Sequence, residues 1–284
     1  MKSFISVIIV FIMFAVSCSN PQHELSIMTF NIRYDNPADG QNQWQNRVPL
    51  VRAYLDSVAP DIAGMQEVVH HQLIDLQDML PGYSYIGTGR DDGKTKGEYS
   101  PLFFKEDRFI LRDNSQFWLS ETPSIPGSKS WDAAITRIVS WAALEDIQSG
   151  ETIYVFNTHF DHRGEESRRK SAELISEKIT EIAGESPVVL MGDFNIRKGS
   201  GDYEFMTRIF NRNNGLRNTE SVAETPVEDA ESTINGFSHD MEPRVIDFIF
   251  TDGNFSVPSY RVDEVIENGI FLSDHWPVVA ELRY

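Results

Sequence analysis

The chain has 284 residues, with 25 Lys and Arg against 43 Asp and Glu, a formal charge of −18 and a single cysteine. This length suits one large α/β domain, and the acidic balance excludes a broad electrostatic grip on duplex nucleic acid. Nuclease chemistry stays open, because bound divalent cations invert the local potential of a site, and one cysteine excludes an intramolecular disulfide.

The N-terminus reads as a processing segment. Lys2 precedes an apolar stretch, Phe4 to Val16, too short to span a bilayer comfortably, and it meets Ala15-Val16-Ser17-Cys18. Small residues directly before a lone cysteine resemble a bacterial lipobox, in which that cysteine is acylated and becomes the first mature residue. The expectation is a lipoprotein-type signal peptide over 1–17, a short tether over 18–24 and one domain over 25–284. That places a monomer in the cell envelope, touching the membrane through its lipid alone. A cleaved leader with an incidental thiol is the alternative.

Apolar or alternating β-branched runs predict strands at Leu25–Ile32, Ile62–Gln66, Tyr83–Gly87, Pro101–Lys105, Phe109–Trp118, Arg137–Leu144, Thr152–Asn157, Val188–Asp193, Val245–Phe250 and Val278–Leu282. Helical spacing predicts helices over Val48–Val58, His70–Leu80 and Glu165–Ile182, with Gly184 as a stop signal. Tyr34–Asn46 and Asn213–Pro243 read as long loops, and loops of that length in a compact domain are often functional. So many strands exceed a simple βα alternation. The predicted fold is α/β (α+β), a four-layer sandwich of two packed mixed sheets flanked by helices.

Polar residues end or interrupt the apolar runs at six places. Asn31 closes Ile27-Met28-Thr29-Phe30, Gln66-Glu67 close Ile62–Met65, and His159 follows Tyr154–Thr158. Asp193 and Asn195 follow Val188–Met191, Asp247 lies within Val245–Ile249, and Asp274-His275 precede Val278. Burying such groups is costly unless they meet a metal, a water or a polar substrate. Hard oxygen donors such as Glu67 suit Mg²⁺ or Mn²⁺. The chain lacks a Cys/His cluster for zinc, a G-x-S-x-G elbow and a P-loop.

Thr29-Phe30-Asn31-Ile32-Arg33, Gln66-Glu67-Val68, Asn157-Thr158-His159, Gly192-Asp193-Phe194-Asn195, Ile246–Ile249 and Ser273-Asp274-His275-Trp276-Pro277 follow in order. Together they resemble the endonuclease/exonuclease/phosphatase superfamily, the deoxyribonuclease-like fold, from Met28 to Leu282. The resemblance implies that Glu67 is the principal metal ligand, with Asn31 and Asp274 beside it. It implies that His159 and His275 face the scissile phosphate and that Asp247 orients His275. Asp193 and Asn195 would hold and polarise the attacking water, Glu98 would partner His159, and Arg137 would contact phosphate together with Asn31. Members with a robust second metal position often carry a carboxylate two residues after the first asparagine. Arg33 stands there, which favours a single ion.

The implied reaction is metal-assisted in-line hydrolysis of a phosphoester, with Asp193 or His159 as the base and a protonated His275 opposite. Substrate is less legible. The basic residues of His162-Arg163-Gly164 and Arg168-Arg169-Lys170 offer a phosphate-binding patch or a solvated helix face. Trp44 and Trp131, in loop-like contexts, offer stacking surfaces or packing. Gly97-Glu98-Tyr99-Ser100-Pro101 and Trp131–Ala134 look like the deadenylase/nocturnin-like branch. They favour a nuclease or nucleotide-type phosphodiesterase, with nucleic acid among the candidate substrates, over an inositol-phosphate or sphingolipid-headgroup phosphoesterase. A surface binding protein that kept the fold and lost catalysis is the alternative of another class.

Overall fold

A computed structural model describes residues 22–225 and 231–284. The expected signal segment and Cys18 lie outside these residues. In chain order the elements are β1 (Glu24–Asn31), a 3-10 turn (Pro37–Asn42), α1 (Trp44–Val58), β2 (Ile62–Gln66), α2 (His70–Met79), β3 (Tyr83–Ile86) and β4 (Leu102–Lys105). There follow β5 (Phe109–Trp118), β6 (Ile138–Asp146), β7 (Thr152–His159), α3 (Glu165–Ala183), β8 (Val188–Asp193), α4 (Gly201–Asn214) and β9 (Arg217–Asn218). The chain ends with α5 (Thr219–Val222), β10 (Asp247–Thr251), β11 (Ser256–Val262), β12 (Ile266–Glu267), β13 (Ile270–Phe271) and β14 (Val278–Arg283).

Two six-stranded mixed sheets run β11-β14-β1-β2-β4-β3 and β5-β6-β7-β8-β10-β9. Each has one parallel pair near its middle, β1 with β2 and β7 with β8, and antiparallel neighbours elsewhere. The period of two along a strand sorts side chains into layers. Leu25, Ile27, Ile62, Val155, Val189, Met191 and Ile249 face the gap between the sheets. Met28, Phe30 and Met65 turn outward onto Val51 and Leu55 of α1 and Leu73 and Leu76 of α2. Phe156, Leu190, Phe248 and Phe250 turn outward onto Ile175 and Ile179 of α3 and Met206 and Phe210 of α4. This is the predicted four-layer sandwich, with each fully buried Leu, Ile or Phe contributing roughly 1.5–3 kcal/mol.

Among the departures from expectation, three bear on the fold. Helix α1 starts at Trp44, inside the expected loop, and buries that indole. Its Nε1 donates to Asp75 Oδ2 at 2.7 Å, so Trp44 packs and is not a stacking platform. Helix α4 was unexpected, because Gly199–Gly201 and an Asn-rich end disguise it. Ser200 caps it by accepting the Tyr203 N–H, and Gly215 at φ 68 ends it. Strand β11 contains Pro258, which the sheet tolerates at an edge. Among the described residues, no helix is long and apolar enough to cross a membrane.

Between the apolar gap and the ends of the strands lies a polar layer. Gln66 Nε2 donates to Asn157 Oδ1 at 2.7 Å and Thr29 Oγ1 at 3.0 Å. Asn157 Nδ2 donates to the carbonyls of Met65 and Pro101 at 2.8 and 2.9 Å. These bonds tie one sheet to the other. The approach needs Gly64, whose added Cβ would lie 2.6 Å from Met191 Sδ and 2.8 Å from Asn157 Cγ.

Candidate active site

The same inward rows carry the site. Along β1 the sequence Leu25, Ile27, Thr29 continues to Asn31. Along β7, Ile153, Val155 and Asn157 continue to His159, and along β8, Val189 and Met191 continue to Asp193. Register then brings them abreast, because His159 pairs with Asp193 in the parallel ladder and Asp247 pairs with Asp193 in the antiparallel one. Side chains at the carboxyl ends of parallel strands thus converge at the lip of the sandwich, where α/β sheets place ligands. Gly192 makes the close approach possible. A Cβ there would lie 2.1 Å from the Thr158 carbonyl oxygen, at a φ of 151.

Asp193 is the hub. Its Oδ1 accepts the Asn195 N–H at 2.9 Å, and Oδ2 accepts Asn31 Nδ2 at 3.0 Å. Oδ2 also lies 3.4 Å from His159 Nε2 and 3.8 Å from His275 Nε2. Burial, helped by the nearby charge of Asp247, pushes the Asp193 carboxyl up to about 7.

The two histidines are driven apart. His275 Nδ1 lies 3.0 and 3.2 Å from the two oxygens of Asp247. Burial alone would lower its pKa. The Asp247 charge and hydrogen bond, with Asp193 and Asp274 behind them, outweigh that and hold the imidazolium up to about 10. His159 goes the other way, pushed well below 6.5 by burial and by the Arg137 charge. Asn195 Nδ2 donates to His159 Nε2 at 3.0 Å and to the Phe160 carbonyl at 3.1 Å. That fixes a neutral ring with its proton on Nδ1, an atom without a protein partner.

Glu67 and Asp274 stand on the opposite wall. Asn31 Nδ2 donates to Glu67 Oε1 at 3.2 Å, and the Tyr34 N–H donates to Oε2 at 3.1 Å. Burial and the Glu67 charge raise the Asp274 carboxyl, against the lowering effect of His275, Arg33 and Arg47. Carboxylates and a carboxamide suit a hard divalent cation. A second group, Asp193, Asp247 and His275, brings one ligand atom each to within 4.8 Å of one another. In that trio His275 Nδ1 is already engaged by Asp247, whereas Glu67 and Asp274 offer carboxylate oxygens that could hold a hard cation.

Arg137 is buried and lines the same cavity of about 420 Å³, as do Arg33, Tyr34, Glu98, Ile135, His162 and Ile234. Its Nη2 donates to His162 Nδ1 at 3.3 Å, whereas Nε and Nη1 have no hydrogen-bond partner among the described residues. The structure corrects the expected Glu98–His159 pair. Arg90 donates to both Glu98 oxygens at 2.5 and 2.9 Å, and a guanidinium outcompetes a neutral, desolvated imidazole for a carboxylate. Of the two readings of the basic patch, the solvated helix face holds for most of it. His162 reaches the cavity, but Arg169 bonds Asp202 and Lys170 bonds Glu173 on the solvated face of α3. Trp131 does not line the cavity.

Sequence reasoning missed Thr233. Its Oγ1 donates to Asp247 Oδ2 at 2.6 Å and accepts the Ile246 and Asp247 N–H groups at 3.0 and 3.1 Å. Within the loop-like stretch before β10, residues Thr233 and Ile234 therefore belong to the site, Ile234 through a bridge to His275. Arg33, Glu67 and Asn195 share a positive φ of 59, 61 and 48, backbone that L side chains enter at a cost and that clusters at functional sites.

Comparisons with known proteins agree with this fold. An endonuclease/exonuclease/phosphatase of Bacteroides vulgatus is 42% identical with a TM-score of 0.85, covering 92% of this chain and 98% of that one. A mannosyl-6-phosphatase of Bacteroides thetaiotaomicron is 34% identical with a TM-score of 0.82, covering 92% of this chain and 100% of that one. An uncharacterised protein of Acanthamoeba polyphaga mimivirus is 28% identical over 208 residues, 62% of this chain but only 30% of that longer protein. Residues 28–275 match the profile of the Endonuclease/Exonuclease/phosphatase family, and the chain belongs to that family.

Proposed function

We propose that this protein is a divalent-metal-dependent phosphoesterase acting by in-line attack of water on a compact phosphate ester. One observation carries the reading. A single small cavity joins the carboxylates of Glu67 and Asp274, with Asn31 buried behind Glu67, to Asp193 and His275 and to the unpartnered nitrogens of Arg137. Mg²⁺ or Mn²⁺ held by Glu67 and Asp274, with Asn31 beside them, would polarise a phosphoryl oxygen and offset developing negative charge. Asp193, titrating near neutrality, takes a proton from water that Asn195 helps to position. The His275 imidazolium stabilises the pentacovalent arrangement or protonates the leaving oxygen. His159 donates through Nδ1, and Arg137 supplies two further donors to phosphate.

For substrate, the cavity favours a terminal phosphate on a polar group such as a sugar. A terminal phosphate carries more charge than a diester and uses more donors. The mannosyl-6-phosphatase relative supports the same class. Tyr34 is the aromatic side chain at the cavity wall, and the Arg33 guanidinium covers its ring at 4.5 Å, leaving little platform for a base. The nucleotide-type diester favoured by the motifs is the second reading. We propose further that Cys18 anchors the monomeric domain to the cell envelope through lipid.

The deciding assay offers phosphorylated sugars, nucleotides, RNA and DNA oligomers, inositol phosphates and sphingolipid phosphoesters, with Mg²⁺ or Mn²⁺ and then with EDTA. Fastest turnover on a sugar phosphate, lost in EDTA and restored by metal, is the expected result. Full activity in chelator overturns the metal reading. Turnover of none of the panel supports the binding-protein alternative.

A further inference from the structure

The reaction described above leaves Arg33 without a role, although its side chain is the most constrained cation at the site. Nε and Nη2 donate to the two oxygens of Asp39, each at 3.0 Å. Its carbonyl accepts Arg47 Nη2 at 3.1 Å and Gln72 Nε2 at 3.0 Å, and its N–H donates to Asn31 Oδ1 at 3.0 Å. The guanidinium lies over the Tyr34 ring, and the backbone is held at a φ of 59. All this leaves Nη1 aimed at the two acids, Asp274 and Glu67. It is 3.6 Å from Asp274 Oδ2 and 3.9 Å from Glu67 Oε2. Asp39 sits on the far side of the fork, so the Arg33–Asp39 pair presents its positive end to the site.

We infer that Arg33 is a resident cation of the active site, held against Glu67 and Asp274 so that it weakens their grip on a divalent ion and faces the substrate phosphoryl group with a fixed positive charge. The inference rests on the metal-dependent reading above. A guanidinium against both carboxylates competes with an incoming ion for their charge, so the wild type binds its metal less tightly than the acids alone would. In exchange the site keeps a second positive charge that never dissociates, and a planar fork clamped by Asp39 loses little freedom when phosphate arrives.

The test is Mn²⁺ binding by calorimetry and electron paramagnetic resonance, alongside turnover. Wild type should bind one Mn²⁺. Arg33→Met should bind one Mn²⁺ about tenfold more tightly or better, since even water-screened repulsion between a unit charge and a divalent ion a few ångströms apart is worth a factor of that order. Its kcat should nevertheless fall by about tenfold or more, as for loss of a positioned electrostatic group. If Arg33→Met does not fold, judged by thermal melting, Arg33→Lys replaces it in the test. Keeping the charge, Arg33→Lys should bind Mn²⁺ within about threefold of wild type. Unchanged or weaker Mn²⁺ binding by Arg33→Met, or a changed affinity in Arg33→Lys, overturns the inference. Absence of Mn²⁺ binding by every variant overturns the metal-dependent reading as well, which keeps the two failures apart.

Discussion

Asp247→Asn is the perturbation that best separates chemistry from scaffold. The substitution keeps the shape beside His275 and the anchor to Thr233 and removes only the charge. In the folded protein His275 is lifted from 6.5 to about 10, despite burial that works the other way. At about 1.4 kcal/mol per pH unit, the net preference for the imidazolium is about 5 kcal/mol, and Asp247 is its largest favourable source. Without that charge, burial dominates and the ring is neutral at pH 7.5. Turnover should fall by about 10²-fold or more, as for loss of a positioned charge or proton donor. The alkaline limb of the kcat profile should move from near pH 10 to below pH 7. Nitrogen-15 spectra of the imidazole would read the same change directly. Asp247→Asn/His275→Ala should be scarcely slower than either single variant, because the residues act as one unit. The raised folded value also stabilises the fold. That contribution is complete below pH 6.5 and is lost as pH rises through about 10, so Asp247→Asn should destabilise more at pH 6 than at pH 10.5. An imidazolium that persists to pH 9 in Asp247→Asn, or losses that multiply in the double variant, would refute the assignment.

Asp193→Asn should abolish most turnover yet raise the melting temperature of the metal-free protein by a few degrees at pH 8. A buried carboxyl raised to about 7 is strained when ionised, and the gain should vanish by pH 4, where the native acid is protonated. A melting temperature that falls at pH 8 would count against Asp193 as the crowded hub. Gly64→Ala should cost about 1–3 kcal/mol in denaturant unfolding, because its methyl meets Met191 and Asn157. A neutral result would mean the sheets separate more easily than the Gln66–Asn157 bonds suggest. Cys18→Ser should shift the protein from the detergent phase to the aqueous phase and remove a diacylglyceryl mass. An unmodified, soluble wild type would overturn the proposed anchor.

The fold and the hub of the site were legible because both are written in the same period. Where an inward row ends in a polar residue, as at Asn31, His159 and Asp193, alternation alone says that the group is buried at a strand end. A buried polar group needs a chemical reason. What alternation cannot say is which polar group holds which. The resemblance pairs Glu98 with His159. Arg90, eight residues upstream, takes the carboxylate instead, and nothing in the local spacing of Gly89–Gly97 announces that. Thr233 was invisible for a similar reason. It acts through a long-range bond from a polar stretch whose composition resembles any solvated loop. Trp44 was open to either stacking or packing, and it packs; its place in a helix was hidden because that helix carries weak apolar periodicity, with Asn46, Arg47 and Pro49 in its first turns. Strand ends therefore reveal the chemistry that a site has available, while partners, and with them pKa values and roles, are set by contacts between segments distant in sequence. The substrate belongs to this second kind of information. It depends on how Arg33, Arg137, His162 and Ile234 share one cavity, four residues from four separate segments that only the folded chain brings together.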